Sequence, residues 1–476
     1  MKSVISKILT IAAASLAAAV SYAQELKESP TWKNIESHPA PLPVIGRIAP
    51  VQSDLNEASF WSVGSETLDR DFAEFENYRK YMKETGVGYA RLQSGWKKTE
   101  KVKGQYDFGW FDAHVDGLIA EGIHPWVCLC YSNTLYSEYG PRNLFPDGPV
   151  MDAWLNYVRA CVTRYKGKVT MWEIWNEPDL NKGPYDQYAN LFVRTAKVIR
   201  EADPEAKIAA FGACLPDKPY VRQALELIDK AGGMKYMDYV TYHAYKEVPE
   251  SIIPGIEELR KWLSEYDCQT GILQGETGCP GRLEYTHALR NREWSEYSQA
   301  KWDLRQALTH FGMGVPYSFF TMVDLNYGNM LQSFGLIRQN GIKQPVYKRP
   351  KFHAVQHVTS VFTPDMKVTD KVKVLSQYNV ELTSYGLQKD GKVVGCMLWI
   401  SGERPSDSLE RKNIDINMTG INFKEPVYVD MLTGYVHDLK AVARRLGAVT
   451  VDFNDLPVLD SPVLIVEKSA VDVVKE

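Results

Sequence analysis

The sequence predicts an α/β fold, a (β/α)8 TIM barrel followed by a small C-terminal antiparallel β-sandwich. Two observations lead to this prediction. Between residues 56 and 362 a short apolar strand, a loop and an amphipathic helix recur eight times, which is the repeat that closes a (β/α)8 barrel. After residue 362 helical periodicity fades and apolar and polar residues alternate, as they do in half-buried antiparallel strands.

The eight repeats can be placed by their apolar runs. The stretch at 171–180 reads MWEIWNEPDL, and its strand stops at Pro178, which has no N–H to give to a sheet. A doubly wound open sheet is the alternative, but it usually carries a glycine-rich phosphate loop after its first strand, and this sequence has none there. We predict strands at 60–64, 88–92, 125–131, 171–175, 208–213, 239–243, 271–275 and 316–321, and helices near 109–121, 150–166, 218–230, 255–266, 292–311 and 351–361.

Residues 363–476 form the predicted sandwich. Asp390-Gly391 separates two alternating runs, which is a strong signal for a β-hairpin. We interpret this unit as a structural cap on the barrel, with carbohydrate binding as the alternative, because no row of solvent-facing aromatic residues is evident. The sequence does not place Trp399 and Tyr428 on either face of the sheet.

The N-terminal residues show the pattern of an export signal. Two lysines precede an apolar, alanine-rich run at 8–20, and a small-x-small cleavage motif follows it. We therefore expect residues 1–23 to be a signal peptide and the protein to be periplasmic or extracellular. Residues 24–55 are proline-rich and irregular, and we expect a linker or an arm packed on a later domain.

Composition argues against some classes of partner. The chain has 55 basic and 59 acidic residues and a formal charge of −4, without a basic cluster, so we do not expect nucleic acid as a partner. Beyond the signal no apolar run reaches the roughly 18 residues of a membrane span. The seven cysteines show neither CxxC nor a metal-binding spacing with histidine, so we expect most to be buried thiols.

Two glutamates follow strands that face each other across the predicted barrel. Glu177 stands at the end of the fourth strand, and Glu276, in ILQGETG, stands at the end of the seventh. Active sites of such barrels form at the C-terminal ends of the strands. One glutamate at a strand end is more often a loop cap or half of an ion pair, but hydrolysis of a glycosidic bond needs two carboxyl groups. The pair therefore favours a glycosidase.

The string WEIWNEPD resembles the acid/base motif of clan A retaining glycoside hydrolases and is most similar to families 39 and 5. The resemblance covers about residues 56–360 and is specific for the clan rather than for one family. It implies that Glu177 is the acid/base, that Glu276 is the nucleophile, and that Asn176 binds the 2-hydroxyl group of the sugar.

The same resemblance implies roles for three further residues. Arg91, in GYARLQSGW, fits the clan's arginine near the nucleophile, and a nearby positive charge keeps a carboxylate ionised. His243 and Tyr245, in TYHAY, match the clan's His-x-Tyr, whose tyrosine hydroxyl would steady Glu276.

Other side chains are weaker candidates. Trp175 and Tyr131 are candidate cleft residues, since aromatic rings pack on the apolar faces of sugars, although tryptophans beside barrel strands are as often core. Asp324, after the eighth strand, could bind hydroxyl groups or cap its own loop. Glu173 lies inside the fourth strand, and we predict that it is a buried partner of a barrel cation.

The sequence thus predicts a retaining glycoside hydrolase that cleaves a β-type (equatorial) bond of a poly- or oligosaccharide by double displacement. We expect no metal and no cofactor. The retaining route predicts carboxyl groups about 5–5.5 Å apart. The alternatives are a non-catalytic carbohydrate-binding protein on the same scaffold and a transglycosylase that uses the same carboxylates.

Overall fold

The structure is a computed structural model. It describes residues 25–56, 59–136, 145–180, 183–266, 268–376, 380–440, 443–447 and 449–475. The expected signal peptide, residues 1–23, lies outside this range.

Eight parallel strands close into a barrel, as the repeats predict. Each strand pairs with its neighbours in chain order, and the eighth pairs with the first. The alternative of an open doubly wound sheet is therefore wrong. The strands are β1 (Ser62–Gly64), β2 (Tyr89–Gln93), β3 (His124–Leu129), β4 (Met171–Ile174), β5 (Lys207–Ala213), β6 (Tyr239–Tyr242), β7 (Gly271–Thr277) and β8 (Tyr317–Phe319).

A helix follows each strand and covers the outside of the barrel. Ser295 caps one of them, because its hydroxyl accepts the N–H of Ser298 while the Ser298 hydroxyl accepts the N–H of Ser295. Apolar residues at helical spacing face the strands and are buried. The helices are α1 (Phe75–Met82), α2 (Gly109–Ala120), α3 (Gly148–Tyr165), α4 (Tyr185–Ala202), α5 (Pro219–Lys230), α6 (Ile253–Leu263), α7 (Glu296–Gly312) and α8 (Pro350–Val361).

Several short helices and strands lie outside the eight strand–helix units of the barrel. A helix at Pro30–Glu36 packs on α8, where the Trp32 ring stacks on His353 at 3.9 Å between centroids. Strands at Lys27–Glu28, Pro345–Lys348 and Ile337–Gln339 form a small sheet, and Leu325–Asn326 pairs with Leu331–Gln332. Further turns of helix lie at Trp96–Thr99, Ser53–Leu55, Leu68–Arg70, Lys83–Thr85, Met234–Tyr236, Pro249–Ile252 and Lys468–Ala470.

Two antiparallel sheets pack on each other after the barrel, which agrees with the predicted sandwich. The hairpin turns at Asp390-Gly391, where both residues have positive φ, 50° and 73°, as a type I′ turn requires. The four-stranded sheet has the order Lys373–Ser376, Lys412–Thr419, Thr450–Val458, Ala443–Gly447. The eight-stranded sheet has the order Met366–Thr369, Leu382–Lys389, Lys392–Ile400, Val463–Glu467, Pro426–Asp430, Tyr435–Asp438, Val44–Ile48, Val473–Val474.

The N-terminal arm is part of this second sheet. Its strand Val44–Ile48 pairs with Tyr435–Asp438 on one side and with Val473–Val474 on the other. The segment that precedes the barrel therefore belongs to a sheet whose other strands lie about 300 residues or more later in the chain.

The core is continuous in the barrel and runs into the larger sheet of the sandwich, while a second cluster fills the space between the two sheets. Each of the seven cysteines lies in the described part of the chain and is a free thiol. Among the described helices, none is both long and apolar enough to cross a membrane.

A buried ion pair joins barrel and sandwich. Arg305 on α7 donates to both carboxylate oxygens of Glu250, at 2.8 and 2.6 Å, and the indole N–H of Trp399 donates to the same carboxylate at 2.6 Å. Lys301, one turn earlier on α7, pairs with Asp460 at 2.6 Å. Trp399 and Tyr428 are both fully buried, so neither offers a face to a glycan.

Replacement of Glu250 by alanine should destabilise the protein by about 3–5 kcal/mol, because it leaves the buried Arg305 guanidinium without its partner. The control is Glu76→Ala, which removes an exposed pair with Arg79 and should cost less than about 1 kcal/mol. Free energies of unfolding from urea titrations measure both. Equal losses in the two variants would contradict the assignment of the Glu250 pair as structural.

Candidate active site

Arg91 is the centre of the polar cluster at the C-terminal end of the barrel. It is fully buried on β2. Its Nε and Nη2 atoms donate to Glu173 on β4 at 2.8 and 2.6 Å, and Nη2 also donates to Asn176 at 2.8 Å. Nη1 donates to Glu276 on β7 at 2.8 Å. One guanidinium group thus links three strands of the barrel, and Glu173 is the buried partner of a barrel cation that the sequence predicts.

Glu276 is held at both carboxylate oxygens. Oε2 accepts from Arg91, and Oε1 accepts from the Tyr245 hydroxyl at 2.7 Å. Burial by itself would raise the pKa of the Glu276 carboxyl, but the charges of His243 and Arg91 and the bond from Tyr245 outweigh it, so the pKa lies below its ordinary value. Glu276 is therefore ionised at neutral pH, with its orientation fixed.

Glu177 lies on the other side of His243. Its Oε1 is 3.0 Å from His243 Nδ1, which is 3.9 Å from Glu276 Oε1. Burial would lower the pKa of His243, but the Glu276 charge and the hydrogen bond to Glu177 raise it above its ordinary value. The imidazole consequently lies between the two carboxyl groups, and both of them stabilise its protonated form.

The loop after β4 presents Glu177 in a strained conformation. Trp175 and Glu177 have φ of 72° and 48°, and each left-handed non-glycine residue costs of order 1 kcal/mol or more. The loop is tied to β5, since Glu177 donates its N–H to the Gly212 carbonyl and Asp179 accepts the N–H of Cys214. Tertiary bonds therefore maintain a geometry that this sequence would not adopt alone.

Gly212 is needed beside the pair. Its φ is +57°, and a Cβ there would lie 3.0 Å from Glu173 Oε1 and 3.1 Å from His243 Nε2. A side chain at this position would crowd Glu173 and His243 and would strain the backbone.

The two glutamates open into a cavity of about 650 Å³. Loops after β1, β6, β7 and β8 form its sides, and ring contacts connect three of them: the Phe72 and Tyr327 rings lie 4.3 Å apart, and the Tyr327 and His287 rings 4.7 Å apart. The residues that line the cavity are Glu66, Thr67, Arg70, Gln93, Tyr131, Asn176, Glu177, Leu180, Tyr245, Glu247, Glu276, His287, Ala288, Leu289, Arg290, Phe320, Tyr327 and Gln332.

Most of the predicted site residues meet at this cavity. Asn176, Tyr131 and Tyr245 line it together with the two glutamates, and Arg91 and His243 lie directly beneath, fully buried.

Two predicted cleft residues do not reach the cavity. Trp175 is fully buried behind Tyr131, with which it makes an edge contact at 5.9 Å, so it is core. Asp324 is fully buried and bonded to Arg349 and the Gly335 N–H. Asp324 thus forms a structural ion pair with Arg349, and the prediction that it could bind substrate hydroxyl groups is wrong.

Sequence reasoning missed Glu66, Arg70 and Gln93, which line the β1–β2 side of the cavity. Glu66 follows β1 by two residues, so the rule that identified Glu177 and Glu276 at strand ends could have found it. The loop at 287–290 carried no such signal, because its approach to the cavity depends on the path of the long connection after β7.

Glu177, His243 and Glu276 each offer one ligand atom, and these atoms lie within 4.8 Å of one another. Each atom already faces another member of the cluster, and both Glu276 oxygens accept hydrogen bonds, one from the cation Arg91. Glu276 thus already has a cationic partner in Arg91.

The comparisons with known proteins agree with the barrel fold. The sequence profile "Glycosyl hydrolases family 39" matches residues 61–260. A family 39 glycoside hydrolase from the gut symbiont Bacteroides cellulosilyticus WH2 has the same fold, with a TM-score of 0.66 and 17% identity, over 88% of this chain and 83% of that one. The barrel is that of a clan A glycoside hydrolase. Family 39 is the family whose profile matches part of it.

A monomeric β-xylosidase from Caulobacter crescentus CB15 also shares the fold, with a TM-score of 0.57 and 17% identity over 88% of this chain and 98% of that one. Two curated proteins are similar over shorter segments. An aryl-phospho-β-D-glucosidase of Bacillus subtilis is 25% identical over 37% of this chain and 37% of its own length. An endo-1,4-β-xylanase of Humicola insolens is 26% identical over 24% of this chain and 32% of its own length. The match thus spans about a third of each curated relative.

Replacement of Tyr245 by phenylalanine should shift the acidic limb of the glycosidase pH profile upward by about one unit. The variant removes one hydrogen bond to a charged carboxylate, so the pKa of Glu276 rises and its ionised fraction at low pH falls. The pH dependence of kcat/KM on an aryl glycoside measures the shift. Tyr327→Phe, which removes a hydroxyl from the same cavity away from the carboxyl pair, is the control. An acidic limb that moves equally in both variants would show that Tyr245 does not tune Glu276.

Proposed function

We propose that the chain is a retaining glycoside hydrolase in which Glu177 is the acid/base and Glu276 the nucleophile, and that it cleaves β-linked poly- or oligosaccharides. The observation that carries the proposal is the spacing of the carboxyl pair. One oxygen of Glu177 and one of Glu276 lie within 4.8 Å of each other. Retaining enzymes place these groups about 5–5.5 Å apart, whereas inverting enzymes leave about 6.5–9.5 Å for a water molecule.

The electrostatics of the two groups support different roles. Arg91 and Tyr245 hold both oxygens of Glu276 and stabilise its negative charge, as a nucleophile requires. Among the described residues no arginine pairs with Glu177, which faces the cavity through a partly exposed side chain, with His243 on one oxygen. That environment leaves it free to exchange a proton with a ligand.

In the first step the Glu276 carboxylate attacks the anomeric carbon C1 and forms a C1–O bond. The bond from C1 to the glycosidic oxygen breaks, and Glu177 gives its proton to that oxygen as it leaves. The product is a glycosyl ester on Glu276 and a free aglycone. In this proposal Asn176 binds the 2-hydroxyl group next to C1, and its bond to Arg91 supports that role.

In the second step water attacks C1 while Glu177 takes one of its protons. The ester bond to Glu276 breaks and the carboxylate returns to its bonds with Arg91 and Tyr245. Two inversions at C1 give net retention. His243 donates toward Glu177 when that group is ionised, which fits its raised pKa.

The names of similar proteins support a β-linked substrate, since they are an aryl-phospho-β-D-glucosidase, an endo-1,4-β-xylanase and a β-xylosidase. Export to the periplasm or the medium also fits a polymeric or oligomeric glycan, and it rests on the sequence pattern at residues 1–23. The burial of Trp399 and Tyr428 supports a structural role for the sandwich rather than glycan binding.

Replacement of Glu276 by glycine should abolish hydrolysis of aryl β-glycosides, and added azide should restore turnover because the anion takes the place of the missing carboxylate. The azide product should have the α configuration, since only one inversion occurs. Mass spectrometry and NMR of the product measure this. Unchanged activity without azide would show that Glu276 is not the nucleophile.

Glu177→Gln should lower kcat on substrates with poor leaving groups by about 10²–10⁴-fold, the usual contribution of a general acid. The loss should be much smaller for dinitrophenyl glycosides, whose leaving group needs no proton. Glu284→Gln changes a buried carboxyl that is bonded to Ser333 and serves as the control. A uniform loss across leaving groups would count against the acid role.

A further inference from the structure

A third carboxyl group lies beside the nucleophile. The Glu66 side chain is 1% exposed, and its Oε1 lies 3.3 Å from Arg91 Nη1, the same atom that donates to Glu276 at 2.8 Å. No described residue donates to the other oxygen, Oε2. The two-step reaction above makes no use of this group.

The fold reserves space for Glu66. Gly64 pairs with Arg91 across β1 and β2, and the Glu66 side chain folds back over it toward the guanidinium. A Cβ at position 64 would lie 2.9 Å from Oε1 and would overlap Oε2. Glycine at this position therefore lets the carboxyl reach Arg91.

The three carboxyl groups around Arg91 cannot all be ionised without a large cost in free energy. One guanidinium faces Glu66, Glu173 and Glu276, all strongly buried. Glu173 takes two of the bonds and Glu276 has a second donor in Tyr245, so Glu66 is the least supported of the three. Carboxylates that share a site do not ionise together, and the proton goes to the one with fewest donors.

Burial raises the pKa of Glu66 to about 7, with Arg91 opposing and the Glu276 charge adding to the rise. The groups that face Glu66 in the described residues are Arg91 on β2, Glu276 on β7, Tyr245 after β6 and Tyr78 on α1. Burial raises the pKa of each tyrosine hydroxyl above its ordinary value. Both hydroxyls are therefore neutral near pH 7 and add no charge beside Glu66.

We propose that Glu66 is a positioning residue for Glu276: it holds a proton at the working pH, leaves the negative charge of the pair on Glu276, and keeps Arg91 Nη1 bonded to the nucleophile. The proposal rests on the assignment of Glu276 as the nucleophile. When Glu66 loses its proton, a second anion competes for Nη1 and repels Glu276, so attack at C1 slows. Alkaline loss of activity then has a source besides the deprotonation of Glu177.

The decisive measurement uses Glu177→Gln with a dinitrophenyl glycoside, a substrate whose leaving group needs no acid. In this variant Glu177 can no longer titrate. We expect the first-step rate, read from the burst of dinitrophenolate, to fall at least threefold between about pH 6 and about pH 8.5. A flat rate over this range would overturn the proposal, and that result does not depend on whether any Glu66 variant folds.

The double variant Glu177→Gln/Glu66→Gln identifies the titrating group. Glutamine keeps an oxygen for Arg91 and is neutral at every pH, so we expect the alkaline decline to disappear while the rate at about pH 6 stays within about threefold. Glu177→Gln/Glu284→Gln is the matched control and should keep the decline.

The outcomes separate the two proposals. A decline that survives the change of Glu66, or a rate lost at all pH values in a double variant with a native circular dichroism spectrum, would overturn the role of Glu66 while leaving the nucleophile intact. The absence of any burst in Glu177→Gln, together with failure of azide to rescue Glu276→Gly, would instead reject the proposed reaction and with it the role of Glu66.

Discussion

The site depends on one buried guanidinium. Arg91 is wholly inaccessible and binds acceptors from β4, β7, the loop after β1 and the loop after β4. Removing such an ion from water is expensive, and only a full set of acceptors compensates for it. Arg91 therefore needs these acceptors to compensate for its burial. Its hydrogen bonds in turn fix the positions of the acceptors. The result is a preorganised carboxylate at Glu276.

The backbone contributes the other part of this preorganisation. Four residues at strand ends around the cluster, Trp175, Glu177, Phe211 and Ala244, have positive φ although none is glycine. Such conformations persist only where surrounding bonds over-determine them. This condition is met here, since the loop after β4 bonds to Gly212 in β5 and to Cys214 directly after it. Strain at the strand ends is thus balanced by hydrogen bonds between neighbouring loops.

The order of strands and helices could be predicted because each unit carries its own local pattern. Eight apolar runs of strand length, each followed by a helical pattern, admit few closed arrangements. The placement of Glu177 and Glu276 followed from strand count alone. Glu173 was recognised as a buried ion-pair partner for a similar reason, since a charge inside a barrel strand has no water to face.

Other features depend on tertiary contacts that no local pattern encodes. Trp175 directly precedes Asn176, yet its positive φ turns the ring into the core behind Tyr131. Asp324 is a carboxylate in a loop at the barrel mouth, where ligand-binding residues are common. However, Arg349, 25 positions later, donates hydrogen bonds to both of its carboxylate oxygens. Residues 24–55 are proline-rich and irregular in sequence, which allows a linker or an arm packed on a later domain. The arm is what the structure shows, and the place of strand Val44–Ile48 in the sheet depends on partners near residues 435 and 473.

The sandwich has a physical connection to the site through the loop after β6. That loop begins with His243 and Tyr245 and continues to Glu250, whose carboxylate accepts from Arg305 on α7 and from Trp399 in the sandwich. Between them, the carbonyl of Lys246 accepts the indole N–H of Trp302. The segment that carries the Tyr245 donor is therefore bonded at two points to α7 and at one to the second domain. Because a shift of about 1 Å in such a donor can cost a large factor in rate, the contact between the sandwich and this loop also helps to hold the Glu276 carboxylate in place.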